Sequence, residues 1–306
     1  MRAIVIMSFF MSFALTGIGQ SLKFDYFGIT SAGDKIELFA PGIVSLKNSK
    51  EKSLAISPNG NEVFFSGGSA WPESKIMHIE KINNRWSEPK VAEFSADCYT
   101  TEPAFSPDGR YLFYSSSKGM KDINQYSIWR IEKVGDKWVN PKKVIDITDP
   151  KIWEFHPSIA KDGTVYFCYW DSQKQAGSIC QSRYSQGNYL KPENVNLPVD
   201  FQGSITDPFI DPDKNYIITS SNGKYGKGGY DVYISYRKED GSWLSPVNFG
   251  NRFNTAGDED SFDISPDGRF LFIYKQNDVY WTETKGVFEN LKKTLQKIVI
   301  SKSKNT

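Results

Sequence analysis

The stretch Ser106-Pro107-Asp108-Gly109 recurs along this chain with small changes, and the recurrence decides the fold. In such a phrase the proline presets φ and the glycine accepts a positive φ, so the four residues form a tight turn. A degraded copy, Ala160-Lys161-Asp162-Gly163, keeps the spacing of the repeat. The other copies are Ser57-Pro58-Asn59-Gly60, Asp211-Pro212-Asp213-Lys214 and Ser265-Pro266-Asp267-Gly268. Successive copies lie 49, 54, 51 and 54 residues apart, which indicates an internal repeat.

Four β-type segments occupy each repeat in the same order. An apolar segment precedes the turn, and a run of aromatic and β-branched residues follows it, as in Tyr111 to Tyr114. A third segment comes after a polar loop, as in Ser127 to Ile131, and a fourth follows a Trp-x-x-Pro phrase such as Trp138 to Pro141. Four antiparallel strands per repeat of about 50 residues are typical of a propeller blade. The sequence therefore predicts an all-β protein, a five-bladed β-propeller, with six blades as the alternative if residues 22–38 hold further strands.

The fifth repeat lacks its fourth strand, because the chain after Trp281 enters a lysine-rich tail without a Trp-x-x-Pro phrase. We expect the missing strand at the N-terminus, where Phe39 to Val44 resembles Asn140 to Val144. Such closure removes an open sheet edge. The predicted propeller spans residues 21–285, with blades at about 50–93, 101–146, 153–197, 204–249 and 258–284 plus 36–45.

Residues 1–20 read as a secretory signal peptide. Arg2 precedes an apolar run from Ala3 to Leu15, and small residues follow up to Gly19. The run is too short for a membrane span, and no cysteine lies near the expected cleavage site. The mature protein is therefore expected to be periplasmic or secreted, neither lipid-anchored nor transmembrane.

Residues 286–306 are predicted to form an amphipathic helix and a basic tail. Phe288, Leu291, Leu295 and Ile298 follow helical spacing, which favours a helix docked on the propeller. The alternative is a membrane-surface role, which the brief stretch and its narrow apolar face disfavour.

Composition narrows the partners. The 306 residues carry a formal net charge of +1 with 24% charged residues, which gives no electrostatic bias toward nucleic acid. We expect a monomer without cofactors and without a nucleic-acid partner. The cysteines are Cys98, Cys168 and Cys180. A hairpin centred near Lys174 would place Cys168 opposite Cys180, so a cross-strand disulfide and three buried thiols are alternative expectations.

The Pro-Asp-Gly turns with their apolar flanks resemble the WD40-like propeller repeats of the TolB type, found in exported bacterial proteins. The element Gly228-Gly229-Tyr230-Asp231-Val232-Tyr233 is similar to the same family. The resemblance covers residues 38–284 and implies the propeller fold. It implies no particular activity, because propellers host unrelated functions.

The loops between blades and between second and third strands are rich in acidic and aromatic residues. Both sets are expected on one face, here called the crossover face, where loops converge on the central channel. Aromatic rings beside carboxylates suit sugar rings. The alternative is that the rings fill gaps and the carboxylates are solvated. The candidate ligand-binding residues are Trp71, Tyr99, Glu102, Trp153, Glu154, His156, Asp207, Tyr225 and Glu259.

One polar residue per repeat stands five positions before the turn residue. We predict that these residues line the channel mouth at a similar height, the alternative being that each caps its own strand. They are Ser53, Glu102, His156, Asp207 and Ser261. Asp258 and Asp260 are weak candidates for Ca²⁺, which prefers several oxygen ligands, and a solvated acidic loop is favoured over a metal site.

The predicted function is binding. We expect an exported, non-enzymatic propeller that binds a glycan, a peptide or an envelope protein through the crossover face. The alternative is a carbohydrate-active hydrolase with two carboxylates drawn from Glu102, Glu154, Asp207 and Glu259. Carboxyl groups about 5 to 9.5 Å apart in an open pocket would favour the hydrolase.

Overall fold

The computed structural model describes residues 26–29, 33–68, 73–120, 125–198, 203–224 and 226–304, with side chains as far as residue 295. Five antiparallel sheets follow one another along these residues. The innermost strands of successive sheets contact each other around a central axis. The predicted all-β, five-bladed propeller is therefore confirmed.

The blades repeat the same strand order from the axis outward. The first consists of Leu54–Ile56, Glu62–Gly67, Lys75–Ile82 and Lys90–Val91, with Arg85–Trp86 paired to the third strand. The second consists of Thr100–Phe105, Tyr111–Ser116, Ser127–Val134 and Lys137–Lys143. The third consists of Ile152–Ile159, Val165–Asp171, Ala176–Ser182 and Glu193–Asn194, with a hairpin of Tyr184–Ser185 and Asn188–Tyr189. The fourth consists of Ile205–Ile210, Tyr216–Ser221, Asp231–Tyr236 and Val247–Asn248. The fifth consists of Phe262–Ile264, Phe270–Lys275, Asp278–Glu283 and, from the N-terminus, Glu37–Leu38. A short 3-10 helix, Glu93–Ser95, leads into the second blade.

The repeated phrases form the turns between first and second strands. Ser106 Oγ donates to Asp108 Oδ1 at 2.6 Å, and Gly109 has a φ of +72° that only glycine adopts without strain. The same Ser–Asx bond recurs in the first and fifth blades. The turn residues thus satisfy local backbone geometry, as their sequence indicates.

The two turns that depart from the pattern compensate each other. Lys161, which stands where other copies have proline, binds both carboxylate oxygens of Asp213 at 2.8 Å. Lys214, which stands where other copies have glycine, binds Asp162 in return. The third and fourth blades are therefore linked by two reciprocal ion pairs across their turns.

The N-terminal strand closes the fifth blade, as predicted, but its paired residues, Glu37–Leu38, precede the Phe39 to Val44 segment that predicted it. Leu38 pairs with Tyr280, and Phe39 N donates to the Val279 carbonyl at 2.8 Å. The Pro41–Val44 part of the phrase that predicted this strand instead forms a turn, because Pro41 has no N–H to donate to a sheet and Gly42 takes a φ of +82°.

The C-terminal helix runs from Thr284 to Lys304 and docks on the propeller. Val287 and Leu291 are buried against the fourth and fifth blades, and the ring of Phe288 lies 5.3 Å from that of Tyr216. Within the described ranges, no helix is both long enough and apolar enough to cross a bilayer. The predicted signal peptide, residues 1–20, lies outside the described residues.

The cysteine pairing expected from the hairpin is wrong by one register position. Cys168 pairs with Ile179 and Cys180 with Phe167, so the two thiols point to opposite faces of the sheet. The three cysteines, Cys98 included, are free.

Candidate functional site

Three titratable residues on the innermost strands share an unusual backbone. Glu102, His156 and Asp207 have φ values of +56°, +56° and +51°, and each lies at a register shift between first and second strands. A bulge of this kind re-aims a side chain. Left-handed backbone at a non-glycine residue is strained and must be stabilised by its surroundings.

These side chains meet across three blades. His156 Nδ1 lies 3.3 Å from Asp207 Oδ1, 3.3 Å from Ser261 Oγ and 3.8 Å from Glu102 Oε1. The backbone N–H of His156 also donates to Glu102 Oε2 at 2.8 Å. The polar position of the first blade, Ser53, joins through Ser66, whose Oγ accepts from Glu102 N at 2.8 Å. We call this set the axial network.

The axial network is largely buried. His156 is 5% and Asp207 8% exposed. The contacts of His156 reach three other blades, so capping of its own strand does not account for them. Sequence spacing thus located the five polar positions, whereas the contacts that the charged ones make depend on how whole blades pack.

Burial and charge shift the protonation of the network. Burial alone would lower the pKa of His156, but Glu102 and Asp207 outweigh it and raise that pKa to about 9. The imidazolium in turn overcomes burial and lowers the pKa of Glu102, whereas burial raises that of Asp207. Burial and the charge of Asp207 raise the pKa of Asp260 to about 6.

Half-buried aromatic rings form a row on the crossover face beside the network. The ring of Tyr126 lies 5.3 Å from Tyr99, 5.6 Å from Trp153 and 6.2 Å from Phe155, which lies 6.5 Å from Trp170. We call these five rings the aromatic row. Tyr99 and Trp153 were predicted site residues, whereas Tyr126 and Phe155 were missed. Tyr126 stands directly before a third strand, where a loop aromatic could have been recognised.

Three other predicted residues have hydrogen-bond partners outside the axial network. Glu154 is 1% exposed, and its Oε2 accepts from Ile128 N at 3.3 Å. Glu259, also 1% exposed, accepts from Thr255 N at 2.9 Å within its own loop. Asp258 accepts from Tyr230 N at 2.9 Å.

Two of the predicted site residues, Trp71 and Tyr225, lie outside the described residues. In the part of the chain that the structure describes, no group of three or more His, Cys, Asp and Glu side chains is arranged to hold a metal ion.

A cavity of about 450 Å³ opens on the opposite face, at the turns. It is lined by apolar side chains of the innermost strands, by polar residues of the turns and by Asp263. Burial raises the pKa of Asp263 to about 7, and Tyr274 Oη donates to its carboxylate at 3.0 Å. Sequence reasoning placed the functional loops on the crossover face and did not anticipate this cavity, because its walls read as ordinary core residues.

No protein-family model matches the chain, and no curated protein matches it. Among solved structures, a protein of unknown function from Dyadobacter fermentans is similar with a TM-score of 0.51 and 14% identity, covering 83% of each chain. TolB from Acinetobacter baumannii has a TM-score of 0.48 and 13% identity over 76% of this chain, which spans about half (54%) of that protein. An α-L-arabinofuranosidase from Lactobacillus brevis has a TM-score of 0.49 and 11% identity over 77% of this chain and 90% of its own. At 14% identity, the similarity to the Dyadobacter fermentans protein is evidence of the fold alone.

Proposed function

We propose that this protein is an exported, non-enzymatic propeller that binds a glycan on its crossover face. The observation that supports this is the aromatic row, in which Tyr99 lies near the Glu102 carboxylate of the axial network. Sugar rings offer apolar C–H faces, which stack on aromatic rings, and hydroxyl edges, which donate to carboxylates.

Two phenols extend this surface toward the axis. Burial and the nearby Glu102 carboxylate raise the pKa of Tyr99, and burial together with Asp207 raises that of Tyr230. Both phenols therefore remain protonated and can donate hydrogen bonds. A ligand on the aromatic row would meet donors and acceptors at its axial end.

Binding of the mature protein to a panel of neutral oligosaccharides tests the proposal. We expect Trp153→Ala and Tyr99→Phe each to weaken binding about fivefold, since a stacking contact and a hydrogen bond are worth about 1 kcal/mol each. Tyr184→Ala is the matched control, because Tyr184 is an aromatic residue of the third-blade hairpin away from the aromatic row. Binding to peptides alone, or no effect of Trp153→Ala in a folded variant, contradicts the proposal.

Hydrolysis remains the second candidate because two carboxyl groups of the network have opposite pKa shifts, lowered for Glu102 and raised for Asp207. A separation of this kind can divide base and acid roles. Both carboxylates approach the same His156 nitrogen, which favours a structural charge network instead. Turnover of an oligosaccharide that is lost in Glu102→Gln and Asp207→Asn would favour the hydrolase.

A further inference from the structure

Blades 1 and 2 place a basic residue at the same position of the third strand. The strand register makes His78 equivalent to Arg130 and Glu62 equivalent to Tyr111. In blade 1, His78 Nε2 lies 3.3 Å from Glu62 Oε1. In blade 2, an uncharged tyrosine occupies the position of that carboxylate. Blade 2 therefore has the basic side chain but no carboxylate at the position that Glu62 occupies in blade 1.

The outer strands show the same difference. Lys90 and Lys142 are equivalent, each directly opposite the basic residue of the third strand. Lys90 Nζ binds Glu80 Oε1 at 2.9 Å, but the equivalent Glu132 binds Arg110 at 2.8 Å instead. Among the described residues, neither Lys142 nor Arg130, its cross-strand neighbour, forms an ion pair.

The guanidinium of Arg130 is held in place by aromatic rings. Its central carbon lies 4.5 Å from the ring centre of Tyr111, 5.3 Å from that of Tyr184 and 5.7 Å from that of Tyr189. Such stacking orders the planar group in advance, so less conformational entropy is lost when a ligand binds its N–H edge. Lys142 opposite Arg130 is a like-charge cross-strand pair, which is unfavourable without an anion.

A cavity of about 390 Å³ lies at this position, between the second blade and the hairpin of the third. Arg130, Lys142 and Lys143 line it together with Asn188 and Tyr189. Asp146 also lines the cavity. Its carboxylate is exposed, so solvent and salt screen its repulsion of a bound anion.

We propose that this pocket binds an oxyanion, the carboxylate, phosphate or sulfate group of a small polar molecule, which supplies the counter-ion that blade 2 lacks. Arg130 presents its fork to two oxygens of the anion, and Lys142 adds a point charge. Asn188 and Tyr189 contact the uncharged part of the ligand. This site is separate from the crossover face and does not depend on the glycan proposal.

Calorimetric titration at low salt with glucuronate, glucose 6-phosphate, inorganic phosphate and glucose tests the proposal. We expect at least one anion to bind in a manner that depends on Arg130 and Lys142, whereas any glucose that binds at the crossover face should not depend on them. Arg130→Gln and Lys142→Gln should each weaken binding by about tenfold or more, since a charge-assisted bond contributes about 1.5–3 kcal/mol. Binding by a sugar anion but not by phosphate identifies a sugar acid or phosphosugar, and binding by phosphate alone identifies a free oxyanion.

The repeat offers matched controls. Lys90→Gln removes the equivalent, already neutralised lysine of blade 1 and should leave binding unchanged. Asp146→Asn should strengthen binding a few-fold. Tyr111→Glu introduces into blade 2 the carboxylate that Glu62 provides in blade 1, and it should abolish binding. Thermal unfolding checks that this variant is folded.

The proposal is overturned if none of the three anions binds, if glucose displaces the bound anion from this pocket, or if folded Lys142→Gln and Arg130→Gln proteins bind as the parent does. An equal loss of binding in Lys90→Gln would also overturn it, because the effect would then reflect net charge and not this pocket.

Discussion

Residues that precede proline hold the most unusual conformations in this protein. Glu102, His156 and Asp207 each stand before a proline, a context that favours extended backbone. Each nevertheless adopts left-handed backbone at a bulge, and the three side chains then bond across blades. The strain is offset by those bonds, so the conformation depends on residues about 50 positions away and not on the local sequence.

Glu154 is the residue with the clearest pH dependence. Burial raises its pKa from 4.5 to about 8, and its Oε1 has no hydrogen-bond partner. Because the folded pKa lies above the unfolded one, folding favours the protonated acid, and stability falls as the pH rises from 4.5 to about 8. Glu154→Gln should remove this fall, so that the variant equals the parent near pH 4 and exceeds it by about 4 kcal/mol near pH 8.

Urea unfolding across this pH range checks the Glu154 prediction. The matched control is Glu88→Gln, at an exposed glutamate of the first blade, which should leave the pH profile unchanged. Parallel profiles for the parent and Glu154→Gln would show that the buried carboxyl is not the source of the pH dependence.

At the scale of elements, local patterns describe turns and helices well. The Ser-Pro-Asp-Gly phrases form the expected turns, and the helix docks through Leu291 of the predicted apolar face together with Val287, which that face did not include. The side chains that dock are fixed by contacts with the fourth and fifth blades, which helical periodicity alone does not name.

Leu291→Ala tests the docking of the helix. Leu291 is 4% exposed, so truncation should lower the free energy of unfolding by about 2–4 kcal/mol. Lys293→Ala, on the exposed side of the same helix, should change it by less than about 0.5 kcal/mol. Chemical denaturation of the two variants measures both. Equal effects would mean that the helix is held by something other than its apolar face.

At the scale of the whole molecule, the N-terminal strand joins the two ends of the chain. Phe39 is completely buried, and its ring lies 4.9 Å from that of Phe272 and 5.1 Å from that of Trp281. The closing strand is only Glu37–Leu38, so the packing of Phe39 contributes much of its attachment. Closure in this way protects the outer edge of the fifth blade.

Phe39→Ala should open the ring where it closes. The loss of a buried phenylalanine costs about 3–5 kcal/mol, and the cost should fall on the fifth blade. The substitution should accelerate hydrogen–deuterium exchange more in Asp278–Glu283 than in the third-blade strand Val165–Asp171. Val91→Ala, in the exposed outer strand of the first blade, is the control and should leave exchange unchanged. Uniform acceleration in all blades would show that the ring unfolds as one unit.

The sequence by itself determined the class of fold, the number of blades, the turns and the C-terminal helix, because turn chemistry and hydrophobic period act over a few residues and repeat along the chain. It also identified the polar position in each repeat that became the axial network. Only the tertiary structure decided what those positions contact, since bulges and strand register depend on how whole sheets pack, and a shift of one position moves a side chain to the other face. The offset of Cys168 and Cys180, the burial of Glu154 and Glu259, and the uncompensated Arg130 were all decided at that level.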